Sequence, residues 1–217
     1  MRFEFIYEPV LIVIVRDVFT NEENREILDE VIDNESKFES ATIGKLGPVP
    51  DFRSNLVAHY DDIYIKDRTK SKLLKKLGVL FYPNNNIFDS VLYSSPYPLN
   101  EFGLTNHHET QVSRYGDEGQ QYKYHIDGSN NTKRQISVVY YMFEEPKTFE
   151  GGDIMFTRSP VFDGKVLDPS QESIKIVPEN NMMVVFGSHV PHMVLPTTSP
   201  KDFSKGRFSV NCWVGRQ

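Results

Sequence analysis

Two hydrophobic rhythms divide the chain. Up to about residue 107, apolar positions mostly recur at helical spacing; from about residue 108 they come as short runs bounded by Gly, Pro, Asn and Asp. The earliest run, VLIVIV at residues 10–15, reads as a buried strand. Behind it, Thr20 and Glu23 form a capping-box signature, and Ile27, Leu28, Val31 and Ile32 make an apolar stripe, so a helix is expected from Thr20 onward. Residues 40–55 hold two glycines and two prolines and predict a long loop of the kind that serves as a lid. Residues 67–82 predict a second helix, with Leu73, Leu74 and Leu77 inward and the lysines at 70, 72, 75 and 76 on a solvated face. A shorter helix is expected over 87–93.

The second rhythm gives about eight strands: ETQVSRYG, QYKYHID, RQISVVYYMF, GGDIMFTR, SIKIVP, NMMVVFG, HMVLPT and RFSVNCWV. Short strands at turn-bounded spacing are the mark of a sandwich or barrel. The expected architecture is α+β: an N-terminal strand and supporting helices packed on a C-terminal jelly roll, the double-stranded β-helix. Residues 1–217 read as a single domain, 1–107 giving support and the lid-like loop 40–55, and 108–217 the jelly-roll core.

Composition narrows the function classes. A net charge of −6 argues against general binding to nucleic acid or to an anionic membrane. The VLIVIV run is far shorter than the roughly 20 residues that span a bilayer, and charged residues flank it. Cys212 is the single cysteine, which rules out an internal disulfide and fits a cytoplasmic protein.

The chemistry centres on YHIDGS at 124–129. Residues i and i+2 of a strand point the same way, so His125 and Asp127 can present an imidazole and a carboxylate together. Nitrogen and oxygen ligands suit a borderline metal such as Fe(II), and two histidines with one carboxylate leave coordination positions open. Of six histidines, His192 is the expected third ligand, because it begins a late strand that a jelly roll brings back beside an early one. His107 and His108 read as polar loop residues, and His189 falls in a turn with no ligand role.

From about 108 to 216 the chain resembles the Fe(II)/2-oxoglutarate-dependent dioxygenases, in particular their prolyl 4-hydroxylase-like branch. RYGDEGQQYKYHID, RQISVVYYM, EGGDIMF, VPHMVLP and GRFSVNCW recur in the family's order. The resemblance implies that His125, Asp127 and His192 bind iron and act as the catalytic centre. It implies that Arg207, helped by Tyr141, Tyr115 and Ser209, holds the far carboxylate of 2-oxoglutarate. On the substrate side it matches Arg134, Trp213 and Tyr122 to residues around a prolyl group. Fifteen residues separate His192 from Arg207, because TTSPKDFSK carries an insertion relative to the family.

The implied function is oxidation of an unactivated C–H bond with Fe(II), 2-oxoglutarate and O2, releasing succinate and CO2, with ascorbate a candidate reductant of oxidised iron. The implied substrate is a prolyl residue in a peptide or protein. Two alternatives stand beside it: a free amino acid or other small metabolite, and a non-redox metal- and ligand-binding β-barrel. The oligomeric state is left open.

Overall fold

The structure is a computed structural model. It describes residues 1–81, 107–116, 119–128, 134–157 and 172–215. The helix expected over 87–93 lies outside the described residues.

Strands β1 (Arg2–Ile6) and β2 (Ile12–Arg16) precede helix α1 (Asn21–Asp33). Then come β3 (Glu39–Ser40), β4 (Leu56–His59), α2 (Tyr60–Ile63) and α3 (Lys72–Phe81). The later chain supplies β5 (His107–Tyr115), β6 (Gln120–His125), β7 (Arg134–Met142), β8 (Glu150–Gly151) and β9 (Ile154–Thr157). It ends with β10 (Ser173–Ile176), β11 (Met182–Gly187), β12 (His192–Thr198) and β13 (Arg207–Gly215). All eight expected strands are present. One expectation is corrected: His107 and His108 begin β5 and are not loop residues; residues 41–55 form the expected loop, with a 3-10 turn at Gly44–Leu46. β1, β3, β4, β8 and the short helix α2 were not anticipated.

The strands form two antiparallel sheets, as in a double-stranded β-helix with helices attached. The major sheet runs β1-β2-β11-β7-β13-β5-β4-β3, and the minor one runs β10-β9-β12-β6 with β8 paired to β12. Period-two alternation divides each central strand between two cores. Val13, Val15, Ile136, Val138, Tyr140, Phe208 and Val210 face the helices, where Ile27, Leu28, Val31, Leu73, Leu74 and Leu77 complete one core. Ile12, Ile14, Val139, Tyr141, Met182 and Val184 face the minor sheet, where Ile154, Phe156 and Ile176 complete the other. Covered on both faces, β2, β7 and β11 must read as continuous apolar runs rather than alternating ones. That is why VLIVIV, VVYYMF and MMVVFG are unbroken.

The helices are fixed by capping. The Thr20 hydroxyl accepts from the Glu23 backbone N–H at 3.2 Å, and the Glu23 carboxylate accepts from the Thr20 N–H at 3.0 Å. From within α1, the Glu30 carboxylate accepts from the Ser71 hydroxyl and the Leu73 N–H at 2.7 and 3.0 Å. It thus caps the start of α3 and locks the two helices together. The expected lysine face is partly paired, Lys76 with Glu23 and Lys72 with Glu26.

Candidate functional site

The inner face of β13 carries the polar residues that its outer face lacks. Arg207, Ser209, Asn211 and Trp213 alternate with buried Phe208, Val210, Cys212 and Val214. Antiparallel register sets Arg207 opposite Tyr115, Ser209 opposite Ser113, and Asn211 opposite Gln111 on β5. On the other side of β13, Tyr141 pairs with Ser209 and Ser137 with Trp213. Of these, Gln111, Tyr115, Arg207, Ser209, Asn211 and Trp213 open onto a cavity of about 340 Å³ between the sheets.

Across the cavity, β6 and β12 pair so that His125 stands directly opposite His192. Asp127 follows β6 in a turn held by its own N–H and that of Gly128, both donating to the Ser188 carbonyl at 3.0 and 2.8 Å. A Cβ at Gly128 would sit 2.8 Å from the Arg134 carbonyl oxygen, so the turn needs glycine there. The ligand atoms of His125, Asp127 and His192 lie within 4.8 Å of one another. Asp127 reaches both imidazoles, with Oδ1 at 3.7 Å from His125 Nε2 and Oδ2 at 3.5 Å from His192 Nε2.

The donor set fits a metal. His125 Nδ1 lies 2.8 Å from the Lys123 carbonyl and His192 Nδ1 2.9 Å from the Val190 carbonyl. A carbonyl only accepts, so each Nδ1 carries the proton and each Nε2 turns a lone pair inward. Burial, reinforced by the charge of His192 and opposed by Asp127, draws His125 down to about 3, so it stays neutral. Burial acts to raise Asp127, but the two histidines and hydrogen bonds from Trp213 and Ser137 outweigh it and hold the carboxyl below its ordinary value. The Ser137 hydroxyl donates to Asp127 Oδ2 at 2.7 Å and lies 2.9 Å from the Ser188 hydroxyl.

A second polar cluster in the same cavity surrounds Arg207, which is 1% exposed. Its Nε donates to the Gly152 carbonyl at 2.8 Å, and its guanidinium sits 4.8 and 4.9 Å from the rings of Tyr115 and Tyr141. The Ser209 hydroxyl accepts from it at 3.3 Å. Among the described residues no carboxylate meets this buried cation. The hydroxyls of Tyr141 and Thr197 are buried without a well-formed hydrogen bond. Burial pushes Tyr141 up to about 12 against the pull of Arg207, so it remains a donor. A buried cation and unsatisfied hydroxyls are costly unless a ligand carboxylate completes them. Gly152 lets them converge: at φ +71 it needs no side chain, and a Cβ there would fall 2.5 Å from Arg207 Cδ and 2.9 Å from Thr197 Oγ1.

On the open side, Tyr122 stacks on His125 with ring centroids 3.5 Å apart and packs edge-on against Phe52. Arg134 lies 3.8 Å over the Trp213 ring and pairs with Glu109 at 2.5 Å. Thr42, Ile43 and Gly44 of the loop line the cavity, and the loop's far end is tied to β6 through Phe52, Arg53 and Ser54. All the residues expected at the site line this cavity except Tyr141, which flanks Arg207 just behind it. Arg53, His59, Gln111 and Asn211 also line it and were not foreseen. The alternation of small polar residues on β5 and β13 was the signal for Gln111 and Asn211.

Residues 110–215 match the family model described as 2OG-Fe(II) oxygenase superfamily. This matched stretch, the jelly-roll core, is that of a 2OG-Fe(II) oxygenase. Enzymes of this superfamily are 2-oxoglutarate-dependent dioxygenases that use Fe(II), and both polar clusters fit that pair of groups. An uncharacterized PKHD-type hydroxylase of Synechocystis sp. is 29% identical over 224 residues, covering 99% of this chain and 66% of the relative. The chain thus spans about two thirds of that relative's length. A Trichoplax adhaerens prolyl hydroxylase, solved with a hypoxia inducible factor oxygen degradation domain peptide fragment, superposes with a TM-score of 0.66. It is 19% identical, over 94% of this chain and 83% of its own. A Pseudomonas putida prolyl-4-hydroxylase gives 0.56 at 18% identity, over 95% and 92% of the two chains. The epimerase SnoN from nogalamycin biosynthesis gives 0.60 at 13%, over 94% and 76%, so the same fold serves other outcomes. Among the described residues no helix is long and apolar enough to cross a membrane.

Proposed function

We propose that the protein hydroxylates an unactivated C–H bond of a prolyl residue in a peptide or protein, converting 2-oxoglutarate and O2 to succinate and CO2. One observation carries the reading: the three-ligand group and a buried arginine lacking a carboxylate partner among the described residues share one cavity. A barrel that only held a metal would have no use for the second feature.

In this reading His125, Asp127 and His192 hold the iron, while Arg207, Tyr141, Tyr115 and Ser209 receive the far carboxylate of 2-oxoglutarate. Bound together, Fe(II) and 2-oxoglutarate supply the oxidising chemistry. The chain's own residues supply orientation. Ser137 and Trp213 fix the Asp127 carboxylate, and the two backbone carbonyls fix the imidazoles. Arg207 orients the cosubstrate through a planar fork suited to a carboxylate. Val139, Ile154 and Val194 give the cavity an apolar wall, and the loop 40–55 acts as a lid that excludes water when substrate is in place. The prolyl ring packs among Tyr122, Trp213 and Arg134. Residues 1–217 act as a single catalytic unit, in the cytoplasm, in keeping with the acidic charge and the single buried thiol.

A second reading, a free amino acid or other small metabolite as substrate, draws on one observation. Arg134 is already engaged by Glu109, and the Trp213 indole N–H by Asp127. Two of the three groups expected around proline thus have other partners.

The test is anaerobic addition of Fe(II) and 2-oxoglutarate to wild type and to His125→Ala. A weak visible charge-transfer band in wild type that vanishes in the variant supports the site. No band in folded, iron-loaded wild type overturns it.

A further inference from the structure

The charges lining the cavity do not balance, and the imbalance points to the substrate. Among the described residues, three arginines and one acid line it: Arg53, Arg134, Arg207 and Asp127. On the reading of the site given above, Fe(II) and Arg207 together balance 2-oxoglutarate and Asp127. Arg134 faces Glu109. Arg53 is left over.

Its position is built. Arg53 forms an isolated bridge with Tyr122, which fixes its backbone to β6. Its guanidinium donates to the Asn55 side chain at 3.0 Å, to the Gln111 side-chain oxygen at 2.8 Å and to the Thr42 carbonyl at 3.4 Å. All three acceptors are neutral. The same guanidinium lies 4.5 Å over the Tyr122 ring, whose other face stacks on His125. It is therefore one aromatic ring away from His125. Gln111, accepting from Arg53 through its oxygen, turns its amide nitrogen toward His59 at 3.5 Å. Arg53, Gln111 and His59 thus form a linked polar rim along the cavity.

We infer that Arg53 is a specificity-determining residue that takes a carboxylate of the substrate, so that the protein acts on an acidic substrate. This deepens and rests on the oxygenase reading. A neutral prolyl peptide would leave the cation half-buried beside an occupied site with, among the described residues, only neutral acceptors; a carboxylate would complete a charge-assisted, two-pronged contact. The carboxylate can be that of a free amino acid or the acidic side chain of a residue next to the one hydroxylated. The chemistry recognised is the same.

The test uses the full chain loaded anaerobically with Mn(II) and 2-oxoglutarate, and calorimetric binding of matched acid and amide pairs. The pairs are L-proline with L-prolinamide, and an end-blocked Asp-Pro peptide with its Asn-Pro counterpart. Wild type is expected to bind the acid of one pair about tenfold or more tightly than its amide. Which pair shows the preference identifies the source of the carboxylate. Arg53→Gln is expected to lose that preference, and Arg53→Lys to retain part of it. 2-Oxoglutarate affinity, which Arg207 governs, and the melting temperature report folding of each variant. Equal binding of acid and amide by wild type, a preference that survives in Arg53→Gln, or no binding of either acid by the loaded protein overturns the assignment. Failure to take up 2-oxoglutarate overturns instead the oxygenase reading beneath it.

Discussion

Replacing Arg207 with methionine separates what this residue does for binding from what it does for stability. The guanidinium is almost fully buried and, among the described residues, meets only neutral partners: the Gly152 carbonyl, the Ser209 hydroxyl and the rings of Tyr115 and Tyr141. Truncating one side of a buried, hydrogen-bonded charge pair in a complex costs about 2–5 kcal/mol. Each 1.4 kcal/mol is about tenfold, so 2-oxoglutarate affinity is expected to fall by roughly 30-fold to several thousand-fold. Stability should respond differently. Without ligand no ion pair is broken, and the variant loses two neutral-acceptor hydrogen bonds, each about 1 kcal/mol, while shedding the burden of a buried cation. The ligand-free melting temperature should therefore change by only a few degrees, or rise. The assay is calorimetric titration of 2-oxoglutarate into the Mn(II)-loaded protein, with Mn(II) affinity and thermal melting as controls. A less than fivefold loss of 2-oxoglutarate affinity, with metal binding and folding intact, would refute Arg207 as the carboxylate clamp.

Three further outcomes are expected. Ser137→Ala removes the 2.7 Å hydrogen bond that orients Asp127, and metal affinity measured by competitive chelation should fall about 10- to 100-fold with little change in fold. Thr20→Ala takes the cap from α1 and should cost about 1 kcal/mol in urea unfolding, with unchanged 2-oxoglutarate affinity, because the cap lies on the helix side of the major sheet. Burial holds the Cys212 thiol up at about 12, above its ordinary value, so the reactive thiolate is scarce at pH 8. Native protein should resist alkylation by iodoacetamide and react rapidly once unfolded in urea, whereas fast labelling of native protein would contradict the burial.

How much of this was legible depends on the length of the interactions. The His125–Asp127 pair is local, since strand alternation alone puts both on one side, and the strand runs were legible because central strands covered on both faces must be apolar throughout. The α1 cap was readable for the same reason: Thr20 and Glu23 are three apart. What escaped is set by register between distant strands. Trp213 was expected at a substrate wall; it lines the cavity, but its indole N–H also serves Asp127 because β13 lies beside β7 in the sheet. Arg53 belongs to a loop whose turn chemistry gives no hint that it bridges to Tyr122 and lies over its ring. Edge strands such as β1, in which no residue is fully buried, do not stand out by pattern. His107 and His108 were misjudged because polar residues at the start of a strand look like the loop that precedes it.

The central claim is that one cavity couples 2-oxoglutarate to O2 at the His125–Asp127–His192 site. The most direct measurement is turnover of 2-oxoglutarate under 18O2 by the Fe(II)-loaded protein, with mass spectrometry of the succinate and His125→Ala as control. The expected result is succinate carrying one 18O atom from wild type and none formed by the variant. Succinate without label, or no succinate from iron-loaded wild type with either acidic or neutral substrates present, would contradict the assignment.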